Sequence, residues 1–159
     1  MRILLAIDGS PYSDAAIEEV CRRPWPAESE VRVVTVVSPL ESMLMQETTL
    51  LPPAYDDILE HQSMKTAKRL HDIASDIEQR ASGLRVTPRL LEGRPREAIL
   101  EEAEQWAADL IVVGSHGYGP IKRFFLGSVS LAIALHAPCS VEIVRQSPGF
   151  HDIESDKAL

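Results

Sequence analysis

The chain of 159 residues is short of several things, and each shortage narrows what it does. It has two cysteines, Cys21 and Cys139, far apart and outside any CxxC spacing. They read as ordinary small buried residues in a reducing compartment rather than as half of a disulfide framework. Positive charge is scarce, since 16 Lys+Arg against 24 Asp+Glu leave a net charge of −8. A phosphate-backbone partner needs a positive patch, and the densest basic spots, Arg22-Arg23, Arg94 with Arg96, and Lys122-Arg123, hold two basic residues each. No nucleic-acid partner is expected. There is no apolar run of membrane-spanning length, so no membrane partner is expected either. Met1-Arg2 leads straight into a core-like strand without the features of a signal peptide, which makes the cytoplasm the expected location. A GxxxxGK[ST] phosphate loop is also missing.

What is present is enough apolar material, 45% of the residues, to bury one ordinary core without metals or disulfides. Arg2 to Asp8 (RILLAID) is too brief for a helix and is bounded by Gly9-Ser10-Pro11, the signature of a fully buried parallel strand. Ser13 is a candidate cap for a following helix whose apolar face is Ala16, Ile17, Val20 and Cys21, stopped by Pro24 and Pro26. Val31 to Val37 (VRVVTVV) is a second strand, dense in β-branched residues. Residues 38 to 54 show no period and read as a lid or mobile loop.

A long amphipathic helix is expected from Asp56 to Ser82, with Leu70, Ile73, Ala74, Ile77 and Ala81 on one face. Arg85 to Glu92 contains Pro88, which lacks a backbone donor and places this strand at a sheet edge. Pro95 opens a helix with the stripe Ile99, Ala103, Trp106 and Ala107, and Asp109 to Gly114 is a fourth strand. A glycine-rich loop, a helix over Ser128 to His136 and a strand over Cys139 to Arg145 complete a single domain spanning 1–146. Residues 147–159 are a polar tail expected to fray. Alternating strands and helices imply an α/β fold: an open five-stranded parallel sheet with helices on both faces. An order of 3-2-1-4-5 puts strands one and four at the centre, where the order reverses and where such sheets bind ligands beyond the strands' carboxyl ends.

Gly114, Gly117 and Gly127 lie between the exit of strand four and the start of the last helix. A helix amino terminus offers unpaired N–H groups and a positive dipole end to phosphate oxygens, and Ser128 and Ser130 could add hydroxyl donors. Equally, the glycines could simply permit tight turns and Ser128 could be a cap. The pattern Gly114-x2-Gly117-x9-Gly127-Ser128, with Ile7-Asp8-Gly9-Ser10, Val36-Val37 and Gly93-Arg94-Pro95, resembles the ATP-binding subgroup of the universal stress protein family over residues 1 to 146.

That resemblance implies a Rossmann-like fold of the adenine nucleotide alpha-hydrolase type and a stress-response module that binds ATP, ADP or AMP, with Mg2+ or Mn2+ carried by the nucleotide. Asp8 matches the acidic residue on the ribose or adenine side, and Ala6 and Val36 match the base pocket. Val113 and Gly114 match backbone passing the ribose. Gly117, Gly127, Ser128 and Val129 match the phosphate cradle, with Ser130 as a further contact. Asp8 could instead cap the turn after strand one. The resemblance also implies a homodimer paired through the strand at 139–145, where Ser140 and Glu142 interrupt the usual aliphatic run. Two copies of Glu142 would oppose pairing if they met, but not if they lay on the solvent face.

No catalytic residue is expected, so any ATP hydrolysis should be slow. An interaction module that dispenses with nucleotide is the competing reading. Lys122 and Arg123 either screen phosphate or keep a loop soluble. His116 lacks triad partners and is expected on the surface. His61 and His71, ten residues apart, are not at a metal-ligand spacing, and His136 suits the end of a helix.

Overall fold

The computed structural model describes residues 1–37, 55–117 and 126–146, and for 55–62 the backbone only. The expected 38–54 loop, the 147–159 tail, Lys122, Arg123 and the side chain of His61 lie outside the described residues.

The elements run β1 (Arg2–Ala6), α1 (Pro11–Arg22), β2 (Glu30–Val37), α2 (Tyr55–Arg80), β3 (Arg85–Glu92), α3 (Pro95–Gln105), β4 (Leu110–Gly114), α4 (Ser128–His136) and β5 (Ser140–Val144). All strand pairs are parallel, in the order β3-β2-β1-β4-β5. Pro88 does sit on an edge strand, opposite Val33 in the register. An edge is where a missing backbone donor costs least.

Alternation along the central strands divides the core in two. Ile3, Leu5, Val31, Val33 and Val112 face α1 and α2, meeting Ala16, Ile17, Val20, Leu70, Ala74 and Ile77. Leu4, Ala6, Val34, Ile111 and Val113 face the other way, against Ile99, Ala103 and Ile133. Each buried branched side chain contributes about 1.5–3 kcal/mol, so the centre of the sheet is the rigid floor of whatever lies at its carboxyl end. Over that second face the buried Glu102 carboxylate is paired with Arg32 at 2.6 Å and Arg89 at 3.2 Å, and the Arg32 guanidinium lies 4.2 Å from the Trp106 ring centre. The pairing lets a charge sit inside the layer between α3 and the sheet.

Three local expectations need correction. β1 ends at Ala6, two residues before Asp8, because β1 and β2 part company there. The cap of α1 is Ser10, whose Oγ accepts from the Ser13 N–H at 3.3 Å, with Pro11 as the first helical residue. A proline there reads in sequence as a turn breaker, which hid the true start. Finally, α3 stops at Gln105. Trp106 is its cap, and Ala107 takes the left-handed conformation (φ 52°) to turn the chain into β4.

Candidate functional site

The carboxyl ends of β1 and β4 are neighbours at the sheet centre, and two chain segments leave from them: Ile7 to Ser13 into α1, and Ser115 to Gly117 beyond β4. α4 returns to the same place at its amino terminus, since the Gly127 N–H donates to the Ser115 carbonyl at 2.8 Å.

The first segment is a hydrogen-bonded scaffold. The Ile7 N–H still donates to the Val34 carbonyl at 2.9 Å, but the Ile7 carbonyl accepts from the Thr35 hydroxyl at 2.9 Å. Asp8 follows, exposed, with Oδ1 accepting from the Ser10 N–H at 2.9 Å. Gly9, at φ 82°, makes the turn, and its N–H donates to Ser13 Oγ, which itself donates to the Ser10 carbonyl. Asp8 therefore does serve as a turn cap, through one of its two oxygens.

The other oxygen, Oδ2, lies against Gly117. A Cβ on Gly117 would stand 2.6 Å from it. Gly114 is glycine for a different reason, because its Cβ would fall 2.6 Å from the Tyr12 carbonyl carbon and 2.7 Å from its oxygen. The first turn of α1 packs directly on the end of β4. At Gly127 a Cβ would meet the His116 Cα at 3.2 Å and the Ser115 carbonyl at 3.4 Å, and φ there is an ordinary −59°. Crowding, not conformation, favours glycine at this position.

α4 begins with no side-chain cap, and its first described backbone bond runs from Leu131 back to Gly127. The N–H groups of Ser128, Val129 and Ser130 have no acceptor among the described residues, and Ser128 is exposed. The Ser130 hydroxyl is buried and donates to the Gly114 carbonyl at 2.7 Å, tying α4 to β4, so its proton is already committed. The helix thus presents backbone donors and a positive dipole end.

Ala6 and Val113 are buried side by side in the core at the ends of these two strands, and Val36 is half-buried against the same cluster. Expected site residues Ala6, Asp8, Val113, Gly114, Gly117, Gly127, Ser128, Val129 and Ser130 lie about the ends of β1 and β4, with Val36 near the carboxyl end of β2.

His116 is not the surface residue it was expected to be. Its ring centre lies 5.1 Å from that of Tyr12, Nδ1 is 3.1 Å from Ser115 Oγ, and Nε2 is shielded from solvent without a hydrogen-bond partner. Thr35, Tyr12 and Ser115 are the residues that reading the sequence missed. Thr35 stood near the carboxyl end of a strand otherwise rich in valine, which was the available signal.

Among the described residues no three His, Cys, Asp or Glu side chains converge as a metal site, and no helix is long and apolar enough to cross a membrane. His71 and His136 are exposed. Both thiols are half-buried and burial pushes each upward, that of Cys139 further raised by Asp109, which keeps them poor nucleophiles. Glu142 turns to the α1 side, where Arg23 grips it through two contacts of 2.7 Å and also reaches Glu19.

The family model described as the universal stress protein family matches residues 1–145. A universal stress protein of Thermus aquaticus, encoded in a QAH/OAS sulfhydrylase 3' region, is 34% identical over 90% of this chain and 97% of its own. The solved structure of hypothetical protein MJ0577 superposes with a TM-score of 0.78 at 22% identity, covering 93% of this chain and 97% of that one. A family protein from Arabidopsis thaliana, solved with AMP bound, superposes with a TM-score of 0.62 at 16% identity over 93% of each chain.

Proposed function

Since the chain belongs to the universal stress protein family, we propose that it binds an adenine nucleotide at the carboxyl ends of β1 and β4 and serves as a regulatory stress-response module in the cytoplasm. The observation that carries the reading is a polarity match. The α4 amino terminus offers to phosphate three N–H groups that have no acceptor among the described residues, while Asp8, just beyond the end of β1, offers to ribose hydroxyls a carboxylate oxygen that no described hydrogen bond engages. A carboxylate accepts from hydroxyls and repels phosphate, so the two ends orient a nucleotide one way. AMP in the Arabidopsis protein agrees with this chemistry.

In this reading Ala6 and Val36 floor the base side and Val113 and Gly114 pass the ribose. Gly117, Gly127, Ser128 and Val129 cradle phosphate, while the Ser130 hydroxyl holds α4 in place and can itself contact the ligand only as an acceptor, leaving the Ser130 N–H as a donor. ATP is the proposed resident ligand. With no described protein metal cluster, a Mg2+ or Mn2+ ion would come bound to its phosphates. Hydrolysis is expected to be slow or absent, because Asp8 Oδ1 is engaged, His116 Nε2 is shielded and no phosphate loop exists.

A homodimer through the 139–145 edge belongs to the same proposal. Arg23 holds Glu142 on the α1 side, so pairing would not bring together two uncompensated carboxylates. On the opposite side Leu131 and Leu135 of α4 are 46% and 69% exposed and would gain cover.

The competing reading, a nucleotide-independent interaction module, is favoured by one observation: Gly114 and Gly127 are crowded by the chain itself and would be needed without any ligand. Mass spectrometry of small molecules released from heat-denatured protein separates the two. Adenine nucleotide from wild type and none from folded Gly127→Val is the expected result, whereas empty protein that also fails to bind millimolar ATP with magnesium supports the interaction module.

A further inference from the structure

We propose that Thr35 is a positioning residue that wedges β1 and β2 apart and thereby sets both Asp8 and the backbone edge of Val36 for a ligand. This rests on the nucleotide reading above and names how its base and ribose side is built.

In a parallel sheet the backbone groups of alternate residues point to opposite neighbours. Glu30 donates to the Met1 carbonyl and Val34 accepts from Ile7, so even-numbered β2 residues address β1. Ser29 and Val37 accept from Arg85 and Gly93, so odd-numbered ones address β3. The next rung after Ile7 N–H to Val34 would be the Val36 N–H donating to the Ile7 carbonyl. That rung is not made. The Thr35 hydroxyl takes the Ile7 carbonyl instead, at 2.9 Å. β2 nonetheless continues beside β3 to Val37, paired with Glu92.

Two consequences follow from one side chain. The Val36 N–H and carbonyl face the gap left by β1, half-buried and unpaired by the ladder, and an unpaired backbone group in such a place is a recognition edge for a planar polar ring. The peptide joining Ile7 to Asp8 is also fixed in orientation on its amino side by Thr35, while the Ser10 N–H fixes the carboxylate from the other side. Removing the hydroxyl frees the Ile7 carbonyl to accept from Val36, which zips the ladder one step further, closes the gap and swings Asp8.

The test compares wild type, Thr35→Val, which keeps the shape without the hydroxyl, and Thr35→Ser, which restores it. Amide hydrogen exchange at Val36 is read without ligand. ATP, 2′-deoxy-ATP and 3′-deoxy-ATP are then titrated calorimetrically. In Thr35→Val, Val36 protection is expected to rise at least about ten-fold and ATP affinity to fall about ten-fold, the scale of one hydrogen bond. The preference for ATP over the deoxy analogues should collapse, and Thr35→Ser should behave as wild type. If Thr35→Val does not fold, Thr35→Ala against Thr35→Ser carries the same comparison. Unchanged Val36 exchange and unchanged ribose discrimination in the hydroxyl-free variant would overturn the inference while leaving nucleotide binding intact. Failure of wild type to bind any of the three nucleotides would overturn the inference and the function together.

Discussion

The two segments that meet at the centre of the sheet are built on opposite plans. From Ile7 to Ser13 every turn is stitched by side chains: Thr35 to Ile7, Asp8 to Ser10, Ser13 to Gly9 and Ser10. In the described parts of the other, Gly114 to Gly117 and Gly127 to Ser130, missing side chains matter most, with Gly114, Gly117 and Gly127 each letting another part of the chain come close, and α4 begins without a side-chain cap. One segment has used its donors internally and keeps a single carboxylate oxygen in hand. The other leaves the Ser128, Val129 and Ser130 N–H groups without an acceptor among the described residues. In the proposed site that asymmetry would supply an acceptor end and a donor end, and it means that substitutions on the two sides should fail differently.

The largest expected effect is structural. Gly114→Ala places a methyl group 2.6 Å from the Tyr12 carbonyl carbon, and backbone cannot rotate away as a side chain would. It should cost about 1–3 kcal/mol or more by forcing α1 off β4, measurable as a lowered midpoint in urea with an unchanged slope. On the stitched side, Ser10→Ala removes the α1 cap and should cost about 1 kcal/mol. Its thermal midpoint should lie between those of wild type and Gly114→Ala, and the reverse order would break the contrast between the two plans. The smallest effect is a control remote from both segments. Ala107 occupies a left-handed conformation at φ 52°, so Ala107→Gly should be neutral or stabilise by at most about 1 kcal/mol without altering ligand affinity. A calorimetric scan beside an ATP titration checks both parts.

Much of this architecture was legible beforehand. Uninterrupted apolar runs such as Ile3 to Ile7 and Leu110 to Val113 can only be strands buried on both faces, and Pro88 marked the edge, so order and layering followed from residue type. The glycine spacing pointed to the right end of the sheet. What each glycine does was not legible, because a Cβ clash with Tyr12 or His116 depends on segments distant in sequence coming together. Ser10 was passed over as the cap because Pro11 looked like an interruption. His116 looked like a loop residue because nothing local shows that Tyr12 and Ser115 enclose its ring. The partner of Glu142 was hidden in the same way, since Arg23 is 119 residues away along the chain.

In the proposed function the N–H groups opening α4, which have no acceptor among the described residues, receive phosphate while Asp8 receives ribose. The most direct measurement is an amide-resolved NMR titration of the full chain with ATP and magnesium, following Ser128, Val129 and Ser130 together with Asp8 and Gly9. Saturable shifts are expected at both sets, with the α4 amides unmoved by adenosine alone and the Asp8–Gly9 amides moved by either ligand. Shifts confined to other surfaces, or none at millimolar ATP, would contradict the proposed function.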